Sequence, residues 1–527
     1  MIILYNANIY TTGQSNFRPT ALAIQGEKII ACGLDSEMLG QFGNHAHQID
    51  LRGKTIWPGL TDCHLHLMHL SQSLTSINCE TPSNQMCLDE VAHKAGTLPA
   101  GSWIHGHGWN HNIWENASYG TAAQLDAISR DHPVYLTAKS LHASWVNSKA
   151  LSLAGIDAHI PDPPGGEILR DESGNPTGIL LENAVNLVSQ IIPTPSADQL
   201  AQDLDELQPY LWAIGITSVH DYDSPLVLQA LQILKGQDRL HMRVQKNLPV
   251  SIMTEAIATG LRSGFGDDML HIGSLKLFVD GALGPQSAAM LAPYTNSNSL
   301  GTLLLEEKEI LEIGITAVEN GWSLTIHAIG DKANRIVLDA LESLREYETA
   351  HKLPHFPHRI EHAQLLHPQD QPRLSALGIT ASMQPIHCTS DMLMVERYWG
   401  NRAAHAYPFR SLLDHQTQLV FGSDAPVESS NPFHGIHAAV TRRRQDGLPG
   451  THGWLPEQRI SLNEALACYT CTPAVLSGLG NRLGKMKPGY LADLIVLPED
   501  PFSLAPHDLF SIQPEMTMVN GMIVYQK

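Results

Sequence analysis

His64-Leu65-His66 is the pair in this chain whose spacing best suits a metal ion. Residues i and i+2 of an extended strand face one side, so two imidazoles at that spacing can bind one divalent cation. Other suitable groups follow. His327 and His362 each close an apolar run, Leu324-Thr325-Ile326-His327 and Arg359-Ile360-Glu361-His362. Asp424 closes another, Gln418-Leu419-Val420-Phe421-Gly422-Ser423-Asp424, and Lys276 lies within Leu275-Lys276-Leu277-Phe278-Val279. The chemistry open to such a set is hydrolysis. A bound divalent ion lowers the pKa of water from about 15.7 towards ~7 and polarises a carbonyl under attack. A carboxylate such as Asp424 can accept the water's proton and return it to a leaving nitrogen, which makes cleavage of an amide C–N bond feasible.

The elements that must position these groups read as alternating strands and helices. Further strand candidates are Thr55-Ile56-Trp57 running on to His66, Ile214 to His220, Met242-Arg243-Val244 and Ile379 to Met383, which brings the total to eight. Helical stretches lie between most of them, such as Ala333 to Tyr347 with Val337, Leu338, Leu341 and Leu344 on one face. This pattern predicts a (β/α)8 TIM-like barrel over residues 57–483, within the α/β class. Groups at the C-terminal ends of its strands would converge on one mouth. The gap from about 70 to 208 is too long for one crossover and is expected to be an inserted subdomain. Both ends of the chain, 1–56 and 484–527, carry short strand-like runs and turn signals, the last being Asn520-Gly521, and are expected to form one composite β-sandwich domain.

Several neighbouring residues have plainer readings. Asp331 is expected to cap a helix. Glu361 should point away from the face of His362 and serve packing or a structural ion pair. His220 and Asp221 end a strand at the mouth and either act there or only line it. His105, His107 and His111 read as a polar flap, with Gly106 and Gly108 suggesting a turn. Trp109, Trp114 and Trp145 in the insertion are expected to wall a substrate pocket, with packing of the insertion's own core as the alternative. Cys468 and Cys471 lack a second Cys-x-x-Cys pair and are read as helical cysteines without a metal role.

Composition bounds the rest. The chain has 527 residues, of which 43% are hydrophobic and 16% charged, as in a large folded globule. Acidic residues outnumber basic ones 53 to 33, for a net charge of −20, which argues against a nucleic-acid partner. The N-terminal run is too short and uncharged for a signal peptide, and no stretch approaches the ~18 apolar residues of a membrane span. Seven irregularly spaced cysteines suggest a reducing, cytoplasmic setting without a disulfide framework.

With these motifs together, the chain resembles the amidohydrolase superfamily, and more narrowly amidohydrolase family 3, the branch of metal-dependent hydrolases like N-substituted formamide deformylase. The resemblance rests on Pro58-Gly59-Leu60-Thr61-Asp62-Cys63-His64-Leu65-His66, Leu277-Phe278-Val279-Asp280-Gly281-Ala282-Leu283-Gly284, His327-Ala328-Ile329-Gly330-Asp331, Arg359-Ile360-Glu361-His362-Ala363, Gly422-Ser423-Asp424 and Lys487-Pro488-Gly489-Tyr490-Leu491-Ala492-Asp493-Leu494. It implies His64 and His66 on one ion, His327 and His362 on a second, and Asp424 beside the first as proton shuttle. It further implies zinc as the metal, one or two ions, and a carboxylated Lys276 bridging them. It also implies His142 as a group that stabilises an oxyanion or holds substrate, although Ser140-Leu141-His142 departs from the branch's usual Asp-Gly-His. The expected function is metal-dependent cleavage of an amide or N-acyl bond, N-formyl included, in a small organic substrate. The alternatives are a deaminase or cyclic-amide hydrolase on the same scaffold, and a non-catalytic metal-binding regulatory protein. A small-molecule amide is the expected partner, with no nucleic acid or membrane and with homo-oligomerisation left open.

Overall fold

The computed structural model describes residues 1–11 and 18–527, which divide into two compact units. One comprises Met1–Leu67, Leu200–Ala425 and Ser429–Lys527, and the other Met68–Gln199 with Pro426–Glu428.

The first unit is built on eight parallel strands: β1 (Leu60–Leu65), β2 (Ile216–Asp221), β3 (Arg243–Pro249), β4 (Leu270–Phe278), β5 (Leu324–Ala328), β6 (Arg359–His362), β7 (Thr380–Met383) and β8 (Leu419–Phe421). Each pairs with its neighbour in sequence. The sheet closes where β8 returns to β1, through a parallel bridge between Leu65 and Ala425. A side-chain clip reinforces the seam: Asp62 Oδ1 accepts from the backbone N–H of His64 and Ser423, both at 3.0 Å, and its Oδ2 accepts from Ser423 Oγ at 2.5 Å. This is the expected (β/α)8 barrel, and its strands are rich in the buried Val, Ile and Leu that a sheet covered on both faces requires. The helix Asp331–Ala350 buries Val337, Leu338, Leu341 and Leu344, the face its spacing predicted. Each such side chain removed from water stabilises the fold by about 1.5–3 kcal/mol.

Two local expectations change. The first strand does not run unbroken from Thr55 to His66. Thr55–Pro58 is a separate strand that pairs antiparallel with Leu494–Leu497, and Gly59 breaks the run. A Cβ at Gly59 would lie 2.3 Å from Thr217 Oγ1, so only glycine lets β1 and β2 approach there. Nor does Asp331 cap its helix. Gly330 holds that position, where a Cβ would meet the Ala289 carbonyl at 2.0 Å, and Asp331 is the first helical residue, accepting from Leu291 N–H at 2.8 Å.

Both chain ends supply a smaller β region of the same unit. A four-stranded sheet is formed by Ile2–Tyr5, Ala21–Gln25, Lys28–Gly33 and His47–Asp50, and a five-stranded one by Asn8–Ile9, Thr55–Pro58, Leu494–Leu497, Met516–Val519 and Met522–Gln526. Leu4, Leu22 and Ile24 of one share a core with Ile56, Leu494, Val496 and Met518 of the other. A buried ion pair joins this region to the barrel: Arg243 of β3 donates through Nε and Nη2 to Asp493 at 2.6 and 2.8 Å.

The second unit has its own six-stranded sheet, ordered Gly166–Arg170, Pro176–Glu182, Ala143–Val146, Val134–Ala138, Ile104–Trp109 and Ile77–Asn78. Trp109, Trp114 and Trp145 are buried in this unit's core with Ile104 and Leu136. Their indole N–H groups donate to the carbonyls of Leu136, Thr81 and Thr121. The expected pocket walls are therefore core side chains, because each ring buries its area and satisfies its one donor inside the unit. Gly106 and Gly108 lie within a strand rather than a turn, and His107 is held by Thr137 Oγ1 and the Pro426 carbonyl. Among the described residues no helix is long and apolar enough to cross a membrane.

The bidentate pair yields a stability prediction. Asp493→Ala leaves the Arg243 guanidinium buried without its counter-charge and should cost about 3–5 kcal/mol. Urea unfolding checks this, and Asp493→Asn, which retains an acceptor, should cost less.

Candidate metal centre

His64 lies on β1 and His66 immediately after it, where the His66 backbone N–H donates to the Ala425 carbonyl at 2.9 Å. A neutral imidazole offers one lone pair, and the hydrogen bond made by its other nitrogen decides which. His64 Nδ1–H donates to Glu361 Oε2 at 2.6 Å, His66 Nδ1–H to Asp223 Oδ1 at 3.0 Å and His362 Nδ1–H to Gln384 Oε1 at 2.9 Å. In the neutral form of each ring the lone pair therefore sits on Nε2. Two of these nitrogens meet Asp424, whose Oδ1 lies 3.5 Å from His64 Nε2 and 3.3 Å from His66 Nε2. Donor atoms ~2.0–2.2 Å from one tetrahedral ion stand ~3.3–3.6 Å apart, so the spacing fits such an ion.

The donor atoms of His64, His66 and Asp424 lie within 4.8 Å of one another, and so do those of His362, His387 and Asp424. His327 lies beside His362, with ring centroids 4.5 Å apart, and its Nε2–H donates to the Gly281 carbonyl at 3.0 Å. That bond leaves Nδ1 as its lone-pair nitrogen. Lys276 is buried, and its Nζ has no hydrogen-bond partner; the Tyr222 and Phe278 rings each lie 4.8 Å from it.

Charge is distributed as a cation site requires. Burial opposes ionisation of Asp424, yet the surrounding histidines, His64 first, hold its carboxyl well below the usual range. Burial pushes His64 down to about 4 and keeps it neutral. His66 goes the other way: burial opposes its charging, but hydrogen bonds to Asp223 and Asp424 raise it to about 10. A proton on His66 thus balances two carboxylates where a divalent ion would do so. Burial lowers Lys276 to about 8, within reach of the neutral amine.

Glu361 forms the expected structural ion pair, with Arg359, but departs from the expected face. It faces His64, and so does His362, whose ring centroid is 5.0 Å from that of His64. Strict alternation along β6 forbids this, and backbone conformation supplies the reason: His362 has φ 72° and Ala363 φ 44°, which breaks the pleat at the strand end. Glu361 also accepts from Tyr222 Oη and Thr325 Oγ1 at 2.8 and 2.5 Å and is ion-paired with Arg359, whose Nε lies 2.9 Å away. His220 and Asp221 are structural. Arg359 Nη1 donates to His220 Nδ1, His220 Nε2–H donates to Ser477 Oγ, and Asp221 pairs with fully buried Lys246 at 2.6 Å.

His142 lies in the second unit, where its Nδ1 is 2.8 Å from Glu182 Oε2, and the dyad's backbone is unusual, with φ 63° at Leu141 and 48° at Glu182. His387 escaped the sequence reading because it stands beyond β7, on the short helix Pro385–Ser390. Its place in the segment just past a strand end is the signal that marks it. Asp223 and Gln384 are recoverable in the same way. Cys468 and Cys471 form no disulfide, and Cys471 Sγ donates to the Gly484 carbonyl at 3.1 Å.

A closed parallel barrel that gathers imidazole lone pairs and a carboxylate at its strand ends is the architecture of a metal-dependent hydrolase. The amidohydrolase family model matches residues 48–525. Protein LONG AFTER FAR-RED 3 of Arabidopsis thaliana is 31% identical over 99% of this chain and 91% of its own length. N-substituted formamide deformylase of Arthrobacter pascens is 30% identical over 100% of this chain and 98% of its own length. The crystal structure of an uncharacterized metal-dependent hydrolase from Pyrococcus furiosus matches with a TM-score of 0.76 at 30% identity, covering 95% of this chain and 99% of that one. The chain belongs to the amidohydrolase family and is a metal-dependent hydrolase of carbon–nitrogen bonds.

The tautomer argument is testable at Glu361. Glu361→Gln can place an amide N–H against His64 Nδ1, which shifts the ring proton to Nε2 and removes a lone pair from the site. Metal affinity, measured by competition with a chromophoric chelator, should fall ~10–100-fold.

Proposed function

We propose that this protein hydrolyses the amide or N-acyl bond of a small organic molecule, N-substituted formamides among them. The observation that carries this reading is the convergence of His64, His66 and Asp424, whose donor atoms all lie within 4.8 Å of one another. Similarity to the Arthrobacter pascens enzyme supports the formamide class. Imidazole and carboxylate donors favour zinc, held in one position by His64, His66 and Asp424 and in a second by His362 with His327 and Lys276. A divalent ion there would acidify water and polarise the substrate carbonyl. Asp424 accepts the proton of the attacking water and delivers it to the leaving nitrogen. Family resemblance alone brings His142 into this reading, as a hydrogen-bond donor to the developing oxyanion.

Lys276 belongs to this reading as a carbamate. A buried ammonium without a hydrogen-bond partner is costly beside a cation, whereas addition of carbon dioxide to the neutral amine would yield an anion with two oxygens able to serve as metal donors. The new bond joins Nζ to the carbon of carbon dioxide, and one proton leaves the nitrogen. Lys276→Ala should then lose the second ion, and formate or acetate should restore part of it. Metal analysis reads that stoichiometry, and a carbamate resonance after loading with ¹³C-bicarbonate reads the modification; an unmodified lysine in fully loaded protein would exclude it.

Activity is tested on zinc-loaded protein with a panel of acyl amides. Release of acid plus amine supports the proposal, whereas release of ammonia points to a deaminase. Asp424→Asn should lower kcat by ~10² or more, with metal content measured alongside because the same carboxylate is a donor.

A further inference from the structure

The turn after β7 lies between the strands that deliver His362 and Asp424. β7 pairs with β6 on one side and with β8 on the other. From this turn, Gln384 Oε1 accepts from His362 Nδ1–H at 2.9 Å. Three residues on, His387 places Nε2 3.3 Å from Asp424 Oδ2. The two contacts are mechanically linked, because His387 N–H donates to the Gln384 carbonyl at 3.1 Å and Pro385 begins the helix between them. His387 is itself buried, with 6% of its surface exposed.

The contact divides the carboxylate of Asp424. Oδ1 faces His64 Nε2 and His66 Nε2, while Oδ2 faces His387. An aspartate free to rotate about χ2 would exchange those oxygens. We propose that His387 is a positioning residue, whose Nε2–H donates to Oδ2 and so fixes Oδ1 towards the ion and the attacking water. Gln384 does the same for His362 by holding its Nδ1–H. The turn after β7 thus sets the orientation of a donor on each neighbouring strand. The inference rests on the metal-dependent reading above and assigns to it two residues that supply orientation.

The test uses full-length, zinc-loaded protein with N-benzylformamide as the substrate probe. His387→Ala should keep the wild-type metal stoichiometry and KM while kcat falls ~10–100-fold, the range for loss of a group that orients a metal-site residue. His387→Gln, whose amide N–H falls near the position of the imidazole Nε2–H, should recover most of that loss. Gln384→Ala should instead weaken metal affinity ~10–100-fold. Cobalt-substituted protein gives a readout independent of turnover: the visible bands should shift in His387→Ala and return in His387→Gln. Loss of an ion in His387→Ala would make His387 a ligand and overturn the proposal. So would unchanged kcat with unchanged cobalt bands, or a Gln variant no better than Ala. Wild-type protein that binds metal but leaves N-benzylformamide intact would sink the substrate class alone, with the cobalt spectra still deciding the role of His387.

Discussion

A neutral histidine has one lone pair to give, and the mouth of this barrel is organised around where those lone pairs point. Glu361, Asp223 and Gln384 each take the Nδ1 proton of a different histidine, which in the neutral rings leaves the lone pair on Nε2. These acceptors come from β6, from the loop after β2 and from the turn after β7. Such convergence exists only when the barrel is closed and in register, since a slip of one residue turns each side chain to the other face. The seam between β8 and β1 is therefore part of the site. Asp424 N–H donates to the His64 carbonyl at 2.6 Å, and Asp62 clips both strands.

Below the donors lies a layer of buried charge that would be ruinous in fragments. Glu361 is fully buried, and an unpaired carboxylate there would cost several kcal/mol. It is instead held ionised, well below the usual range: burial opposes this, but Arg359 and His64 outweigh it. Arg359 also donates to Tyr222, Thr325 and His220, and Tyr222 stacks on His64 with ring centroids 4.1 Å apart. Every member of the layer has partners on more than one strand, so the layer orients His64 and ties the strands together at once.

The barrel was legible because its evidence is periodic and redundant. Eight apolar runs, most with a polar terminus, survive errors at individual boundaries, as Gly59 and the short β8 show. The composite β region was legible from turn chemistry at both ends. His64, His66, His362 and Asp424 could be named as candidate donors because strand ends share one mouth, and the structure brings them close together there. What stayed hidden depends on dihedral angles and on three-dimensional pairing. Nothing in Arg359-Ile360-Glu361-His362 announces that His362 adopts φ 72°, so alternation sent Glu361 to the wrong face. His387 lies past a strand end, where periodicity carries no information. The three tryptophans were ambiguous because a ring buried in a subdomain core and one walling a pocket leave the same mark in sequence.

Left-handed backbone at His362, Ala363 and Asp424 also ties the candidate site to strand ends. Non-glycine residues held in that region cost of order 1–3 kcal/mol each, and glycine would relieve the cost but remove the donor. The cost is offset locally. The Ala363 N–H reaches the Ala328 carbonyl at 3.0 Å, while Asp424 is fastened through its own N–H to His64 and through the neighbouring Ser423 to Asp62. Strain of this kind is tolerable where a strand stops, because no further ladder bonds are lost beyond it. In mid-strand the same dihedral would break pairing on both sides. The geometry that lets Glu361 and His362 face one histidine is thus available only at the rim, and it joins the orienting carboxylate and the donor histidine on a single strand.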